Sequence, residues 1–238
     1  MSKVFIFVFA LAILNANAQN VVGGYTPYSD SSAGGTISQS GFAPSTTTVA
    51  DVADPYKSHE DFKAKFEIYG KNNLKLTTTQ IQNAKTIVDS VTALFKSTKS
   101  MANARLCAYL VATAYVDSNL VPSEEKLSTK AELLALQTPY FDVKLQGRGY
   151  AHFTGSFNYN RFGQYIGEDI AAQPELLLIP ELAAKVLAYG AVYGKFTGLK
   201  TSRFIPESGN ADFVAARRSI NGDVNADKIA KFVQEILA

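Results

Sequence analysis

The feature that most constrains the fold is a run of apolar residues separated alternately by three and four positions. This spacing places the side chains on one face of an α-helix, where they can face a hydrophobic core. Thr77 and Gln80 precede the run at the spacing of a capping box, which predicts where the helix begins. The run consists of Ile81, Ala84, Val88, Val91 and Phe95.

Helical patterns continue along the rest of the chain. We predict one helix that begins after Ser58 and ends at Gly70, and a shorter one after Thr129. No alternation of strand and helix patterns, of the kind that builds a parallel sheet, is present. The sequence therefore predicts a mainly α domain. Further helices are expected over residues 102–115, 180–193, 212–220 and 226–237.

The N-terminal part of the chain has a different composition. Lys3, an apolar run over residues 4–14 and small residues up to Ala18 predict a secretory signal peptide over residues 1–18. Residues 19–56 are rich in Gly, Ser and Thr and have too little apolar surface to offset the entropy of ordering. We therefore expect a secreted, extracellular protein with a flexible segment over 19–56 and a folded domain over 57–238.

Charge and cysteine content exclude several classes of function. The formal net charge of +2 indicates neither a nucleic-acid partner nor a membrane partner. Cys107 is the one cysteine, so no intrachain disulfide can form, and its apolar neighbours favour a buried thiol over a nucleophile. With two histidines and one cysteine, the chain lacks the residues of a metal site or a cysteine protease. We expect no metal and no cofactor.

Carboxylates follow the third predicted helix. Asp117 lies at its end between apolar neighbours, and Glu124 and Glu125 follow in one loop. Two carboxylates of unequal burial are what the hydrolysis of a glycosidic bond needs. The alternative is that Asp117 caps a turn and that the two glutamates begin a solvated charge run with Lys126.

Two further segments carry more polar residues than a helical bundle needs. In the segment Gly147-Arg-Gly-Tyr-Ala-His-Phe-Thr154, glycines allow a close approach of a ligand, and aromatic and amide groups suit a sugar ring. In the second segment, Arg217 and Arg218 precede an Asn-Gly turn. These arginines are either solvated cations in a last helical turn or partners that keep a catalytic carboxylate ionised.

Taken in order, five segments resemble the glycoside hydrolases of family 19, in the branch of phage-type endolysins and chitinases. The resemblance covers residues 57–238 and implies a lysozyme-like, bilobal helical fold with a substrate cleft. It also implies inverting hydrolysis of polysaccharides that contain N-acetylglucosamine, either chitin or peptidoglycan. The matching segments are Lys75–Ile81, Ala112–Tyr115, Gly147–Tyr150 with Thr154 and Asn158-Tyr159, Lys195–Gly198, and Ala216–Gly222.

The resemblance also implies roles for individual residues. Asp117 stands where the family has the glutamate that acts as the acid, and Val116 replaces the preceding histidine. Glu125 matches the base, with Glu124 as the second choice. Arg218 matches an arginine near the carboxylates. The sugar-binding positions match Tyr150, Thr154, Asn158 and Asn221, whereas His152 replaces a glutamine.

The replacements leave two hypotheses open. In the first, the protein is a secreted hydrolase that uses Asp117 and Glu125, although aspartate is shorter than glutamate by about one C–C bond, roughly 1.5 Å. In the second, it is a catalytically degenerate relative that binds glycans or has a structural role outside the cell. His152 is likewise either a proton-transfer group or a hydrogen-bonded residue of the groove. Two carboxylates separated by roughly 6.5 to 9.5 Å across an open cleft would favour inversion, and carboxylates that are paired to arginine and face away from the cleft would not.

Overall fold

The computed structural model describes residues 59–95, 104–126 and 143–238. The predicted signal peptide, the predicted flexible segment 19–56, the cap at Ser58 and the helix after Thr129 lie outside these ranges. Short π-helical and 3-10 turns connect several of the α-helices. The α-helices are α1 (His59–Tyr69), α2 (Thr78–Phe95), α3 (Ala104–Ser118), α4 (Ser156–Ile166), α5 (Pro180–Val192), α6 (Phe213–Ala216) and α7 (Ala226–Leu237).

The prediction of a mainly α domain is confirmed. Within the described ranges, the extended pairing is limited to an isolated antiparallel bridge between Arg148 and Phe153. No helix in these ranges has both the length and the apolar character needed to cross a membrane. In the part of the chain that the structure describes, the main core is built mostly from helices that pack on one another.

The ends of several helices agree with the sequence signals. At the start of α2, the backbone N–H of Thr77 donates to Gln80 Oε1 at 2.9 Å, and the backbone N–H of Gln80 donates to Thr77 Oγ1 at 3.3 Å. This is the predicted capping box. Helix α5 begins at Pro180, as expected for proline in a first helical turn. The apolar stripe of α2 is buried from Ile81 to Val91.

Two elements differ from the prediction. Helix α4 was not predicted, because its sequence includes Asn158, Asn160 and Gly163, which are weak helix formers. It forms because Tyr159 and Phe162 are buried against a small aromatic core. The helix predicted over 212–220 is also shorter, since α6 ends at Ala216 and the backbone tightens into a 3-10 turn over Arg217–Ser219.

Helix α3 is the centre of the main core. Every residue from Ala104 to Ala114 is buried, including Cys107, whose thiol is thus confirmed as a buried group. Helices α2, α5 and α7 contribute most of the apolar side chains around it. A smaller core forms around Phe153 and Phe162, and Phe196 packs against both cores.

The chain reverses direction where α3 ends. Asn119 and Leu120 both adopt left-handed backbone conformations, with φ of 54° and 57°. Two amide side chains of α2 hold this turn: Gln80 Nε2 donates to the carbonyl of Asn119 at 3.0 Å, and Asn83 Nδ2 donates to the carbonyl of Leu120 at 2.8 Å. The following residues therefore leave α3 in a defined direction and run beside the glycines of the segment 147–149.

Candidate functional site

Asp117 in the last turn of α3 forms a buried ion pair with Arg217. Arg217 Nη2 lies 2.9 Å from Asp117 Oδ1, and Nη1 lies 2.8 Å from Oδ2. The side chain of Asp117 is 8% exposed, and that of Arg217 is 1% exposed. Arg217 Nε also donates to the carbonyl of Val224 at 2.9 Å, which fixes the guanidinium plane. Asp117 is therefore held in one orientation by both of its oxygens.

The surroundings of Asp117 have opposing effects on its acidity. Burial raises the pKa of the Asp117 carboxyl, and Arg217, His152 and Asn225 act in the opposite direction. The effect of burial is the larger, because removing a carboxylate from water disfavours the charged form. A carboxyl with a raised pKa binds a proton more readily than a solvated one, as a general acid must.

His152 lies beside this pair. Its Nε2 is 2.9 Å from Ser123 Oγ, and its backbone is left-handed with φ of 50°. Burial lowers the pKa of the His152 imidazole, Asp117 raises it and Arg217 lowers it further. The neutral imidazole is therefore favoured, and its Nε2 exchanges a hydrogen bond with the serine. Ser123 was not predicted, since a single serine in a loop has no sequence signature.

Glu125 lies against the segment that contains Gly147. Its backbone N–H donates to the carbonyl of Gly147 at 2.8 Å. A Cβ at position 147 would lie only 2.6 Å from Glu125 Oε2 and 2.8 Å from the carbonyl oxygen of His152. Glycine is therefore required here because the backbone carbonyl of His152 leaves no room for a Cβ, whereas the flexible side chain of Glu125 could move aside.

Glu124 has a different environment from its neighbour. Its Oε2 forms an ion pair with Arg148 Nη2 at 2.8 Å, and Gln146 Nε2 donates to its other oxygen. Arg148 is mostly buried and also donates to the carbonyl of Lys144 at 2.6 Å. Glu124 thus joins a local network although its side chain is 45% exposed, and the alternative of a solvated charge run with Lys126 stays a prediction.

The structure separates the two arginines of the segment 216–222. Arg218 is 46% exposed, and its Nε donates to Asp223 Oδ1 at 2.8 Å. Successive residues of a 3-10 turn point about 120° apart, so only one of the two can face Asp117. The prediction that placed Arg218 beside the acid is therefore corrected to Arg217.

The predicted sugar-binding residues lie in unlike surroundings. Tyr150 is 1% exposed within the main core, so its ring offers no face to a sugar. Thr154 and Asn158 are half-buried, and Asn158 Nδ2 donates to the carbonyl of Thr154 at 2.9 Å. Asn221 is half-buried next to the Asp117–Arg217 pair, and its backbone N–H donates to the carbonyl of Arg217 at 2.9 Å. Thr154, Asn158 and Asn221 remain candidates for contact with a ligand.

Comparisons with known proteins identify no family. Neither a protein-family model nor a curated protein matches the sequence. A crystal structure of a chitinase C mutant is similar over 74% of this chain and 91% of that chain, with 19% identity and a TM-score of 0.48. At this level of similarity the resemblance to family 19 and its lysozyme-like, bilobal fold stay predictions from the sequence motifs.

Within the described ranges, no group of three or more His, Cys, Asp or Glu side chains could hold a metal.

Proposed function

We propose that the protein is a secreted glycoside hydrolase that cleaves a polysaccharide containing N-acetylglucosamine by inversion. The observation that carries this proposal is the contrast between two carboxyls. Asp117 is buried and has a raised pKa, whereas Glu125 is half-buried on the loop that follows α3. An inverting hydrolase needs one carboxyl that holds a proton and one that is ionised.

The proposed reaction uses the two groups on opposite sides of the scissile bond. Asp117 donates its proton to the glycosidic oxygen, and the C–O bond breaks as the leaving sugar takes that proton. Glu125 accepts a proton from a water molecule, whose oxygen bonds to the anomeric carbon from the opposite face. Arg217 then stabilises the carboxylate that Asp117 has become. The water oxygen ends on the anomeric carbon with inverted configuration.

A second candidate is glycan binding without hydrolysis. The observation that favours it is the ion pair, because Arg217 contacts both oxygens of Asp117 and the carboxylate is only 8% exposed. A proton on Asp117 must compete with this arginine. A side chain with so little exposure must also reach the glycosidic oxygen. In this case Asp117 would be a structural partner of Arg217, and the cleft would bind a polymer that it does not cut.

The experiment measures the reducing ends released from soluble chitin oligomers and from purified peptidoglycan. We expect Asp117→Asn and Glu125→Gln each to lower the rate by about 10²- to 10⁴-fold, the usual contribution of a general acid or base. The exposed Glu207 provides a matched control, and Glu207→Gln should leave the rate unchanged. The anomer first formed, followed by NMR, reports inversion.

Other outcomes of the same assay have defined meanings. A loss in Glu124→Gln together with full activity in Glu125→Gln would make Glu124 the base. If the unsubstituted protein releases no reducing ends but sediments with one of the polymers, the glycan-binding candidate is correct. The polymer that is cut or bound identifies the substrate as chitin or peptidoglycan.

The proposal of secretion depends on the N-terminal pattern of a basic residue, an apolar run and a small-residue site. We expect protein recovered from the medium of an expressing eukaryotic culture to begin at Gln19. N-terminal sequencing measures this directly. Intact Met1 in protein retained inside the cells would contradict it.

A further inference from the structure

An open groove of about 580 Å³ lies beside α4 and α5, and shares no lining residue with the Asp117–Arg217 pair. We call it the tyrosine groove, and define it by Arg161, Tyr165, Tyr189, Tyr193 and Lys195. Lys195 begins the segment Lys195–Gly198, which is one of the five segments that resemble family 19. The proposed hydrolysis assigns no role to this segment. The groove is therefore a separate place at which a ligand could bind.

Aromatic rings form one wall of the tyrosine groove. Tyr165 stacks on Tyr189 with a centroid separation of 3.6 Å and an angle of 10°, and Tyr189 contacts Tyr193 at 5.0 Å. Phe162 of the small core and Tyr189 form a T-shaped contact with ring centroids 6.3 Å apart. Tyr165 and Tyr193 remain 37% and 42% exposed. The wall thus contains aromatic side chains that are partly open to solvent, and an aromatic ring with a polar hydroxyl suits a sugar ring.

A cation lies next to this wall. The Arg161 guanidinium is centred 4.1 Å from the Phe157 ring centroid, and its Nη1 donates to the carbonyl of Lys195 at 2.8 Å. Burial lowers the pKa of Arg161, and Tyr189 raises it. None of the ion pairs between described residues includes Arg161. An arginine has five N–H donors, so several remain for an anion.

The charge of the lining favours an acidic ligand. Lys195 and Arg161 contribute positive charge, and none of the described residues that line the groove is acidic. A partly buried cation without a carboxylate partner attracts an anion more strongly than one in bulk water, because the local dielectric constant is lower. The ligand that fits has a ring face for the tyrosines and an anionic group for Arg161.

We propose that the tyrosine groove binds a saccharide unit that carries a carboxylate. The pyranose ring lies on the exposed faces of Tyr165 or Tyr193, and the carboxylate accepts charge-assisted hydrogen bonds from Arg161. Two sources share this chemistry: a sugar with a lactyl ether, as in bacterial cell-wall glycan from which the stem peptide has been removed, and a uronic acid, as in acidic extracellular glycans. This site does not depend on hydrolysis at Asp117.

Calorimetric titration of the mature protein tests the proposal with three probes. These are a tetrasaccharide of alternating N-acetylglucosamine and N-acetylmuramic acid, a hyaluronan tetrasaccharide and neutral chitotetraose. All titrations use Glu125→Gln protein, so that no probe is cut. We expect Arg161→Gln to raise the Kd of at least one acidic probe by about tenfold or more. Tyr193→Ala should weaken the same probe, and higher salt should weaken it further.

The control is Arg203→Gln, which removes an exposed arginine that does not line the groove and should leave every Kd unchanged. Equal melting temperatures of the variants exclude unfolding as the cause of a loss. The acidic probe whose Kd rises in Arg161→Gln identifies which of the two kinds of acidic sugar the groove binds. The proposal is wrong if neither acidic probe binds, or if Arg161→Gln weakens chitotetraose as much as the acidic probes. Binding of chitotetraose that is independent of Arg161 reports only on the proposed cleft, so the two proposals can fail separately.

Discussion

At the scale of single residues, the Asp117–Arg217 pair is the more deeply buried of the two ion pairs in the candidate site. Both side chains are nearly buried, and the arginine also binds the backbone at Val224. Transfer of two charges out of water costs several kcal/mol per ion, and the pair is tolerated because the charge of each partner compensates the charge of the other. Loss of one partner leaves a buried charge without compensation.

We therefore predict that Arg217→Gln lowers the free energy of unfolding by about 3–5 kcal/mol. The adjacent Arg218 pairs with Asp223 at the surface, where exposed ion pairs contribute roughly 0–1 kcal/mol. Arg218→Gln is therefore the matched control and should have a small effect. Urea unfolding followed by circular dichroism measures both. Equal losses in the two variants would contradict the assignment of Arg217 to the buried pair.

His152 should make the stability depend on pH in a defined direction. Its pKa in the folded protein is lowered by burial, with Asp117 and Arg217 as the charged groups that face it. As the pH falls below the ordinary histidine value of about 6.5, the unfolded chain takes up a proton before the folded protein does. The contribution of His152 is therefore fully present above that pH and is lost below it.

The measurement for His152 is the free energy of unfolding between about pH 7.5 and about pH 5. We expect the unsubstituted protein to lose more stability across this interval than His152→Gln, which has no group that titrates there. His59 remains in both proteins and cancels in the comparison. Parallel pH profiles would show that the imidazole is not protected from protonation by the fold.

At the scale of elements, the candidate site depends on how α2 holds the end of α3. The left-handed residues Asn119 and Leu120 direct the chain from Asp117 towards Glu125. Their carbonyls accept hydrogen bonds from Gln80 and Asn83, which are both buried polar residues of α2. A buried amide that satisfies a buried carbonyl is costly to remove, because the carbonyl is then left without a partner.

Asn83→Ala should lower the free energy of unfolding by about 1–3 kcal/mol, the cost of an unsatisfied buried group. Gln82→Ala is the control, since Gln82 is an exposed residue of the same helix. Amide hydrogen exchange gives a second readout, which should show faster exchange over residues 119–125 in Asn83→Ala only. Unchanged exchange there would mean that the turn holds its shape without α2.

At the scale of the whole molecule, the described residues contain the helices that surround α3. The buried side chains of α2, α5 and α7 already enclose it on the main core side. A segment such as 19–56, which is poor in large apolar residues, can add little buried area to this core. The folded domain is thus expected to keep its stability without that segment.

We predict that a chain of residues 57–238 has the same free energy of unfolding as the protein beginning at Gln19, within about 0.5 kcal/mol. Differential scanning calorimetry of both chains measures this. Limited proteolysis of the longer chain should first cleave within 19–56. A lower melting temperature of the shorter chain would show that the domain begins before residue 57.

Most of the helical content was readable from local sequence. The capping box at Thr77, the stripe of α2 and the proline that begins α5 are short-range signals, and each acts within a few residues of its position. Helix α4 was missed because its local propensity is weak, and it gains its stability from the distant partners of Phe162. Tertiary packing overrides propensity in such cases.

The features of the candidate site also divide into those that the sequence indicated and those that only the tertiary structure decided. Residue types indicated the segments that contain Asp117, Glu125 and His152, and the resemblance to family 19 assigned roles to these residues, which stay predictions. Neither the residue types nor the resemblance was sufficient to choose between Arg217 and Arg218, because that choice depends on a 3-10 turn that brings a residue 100 positions away to Asp117. Burial of the aspartate, its contact with that arginine and the closeness of Ser123 to His152 arise only when separate parts of the chain meet. Helix periodicity and capping depend on neighbouring residues in the sequence. The ion pair of Asp117 and the pKa of its carboxyl depend on groups that only the folded chain brings together.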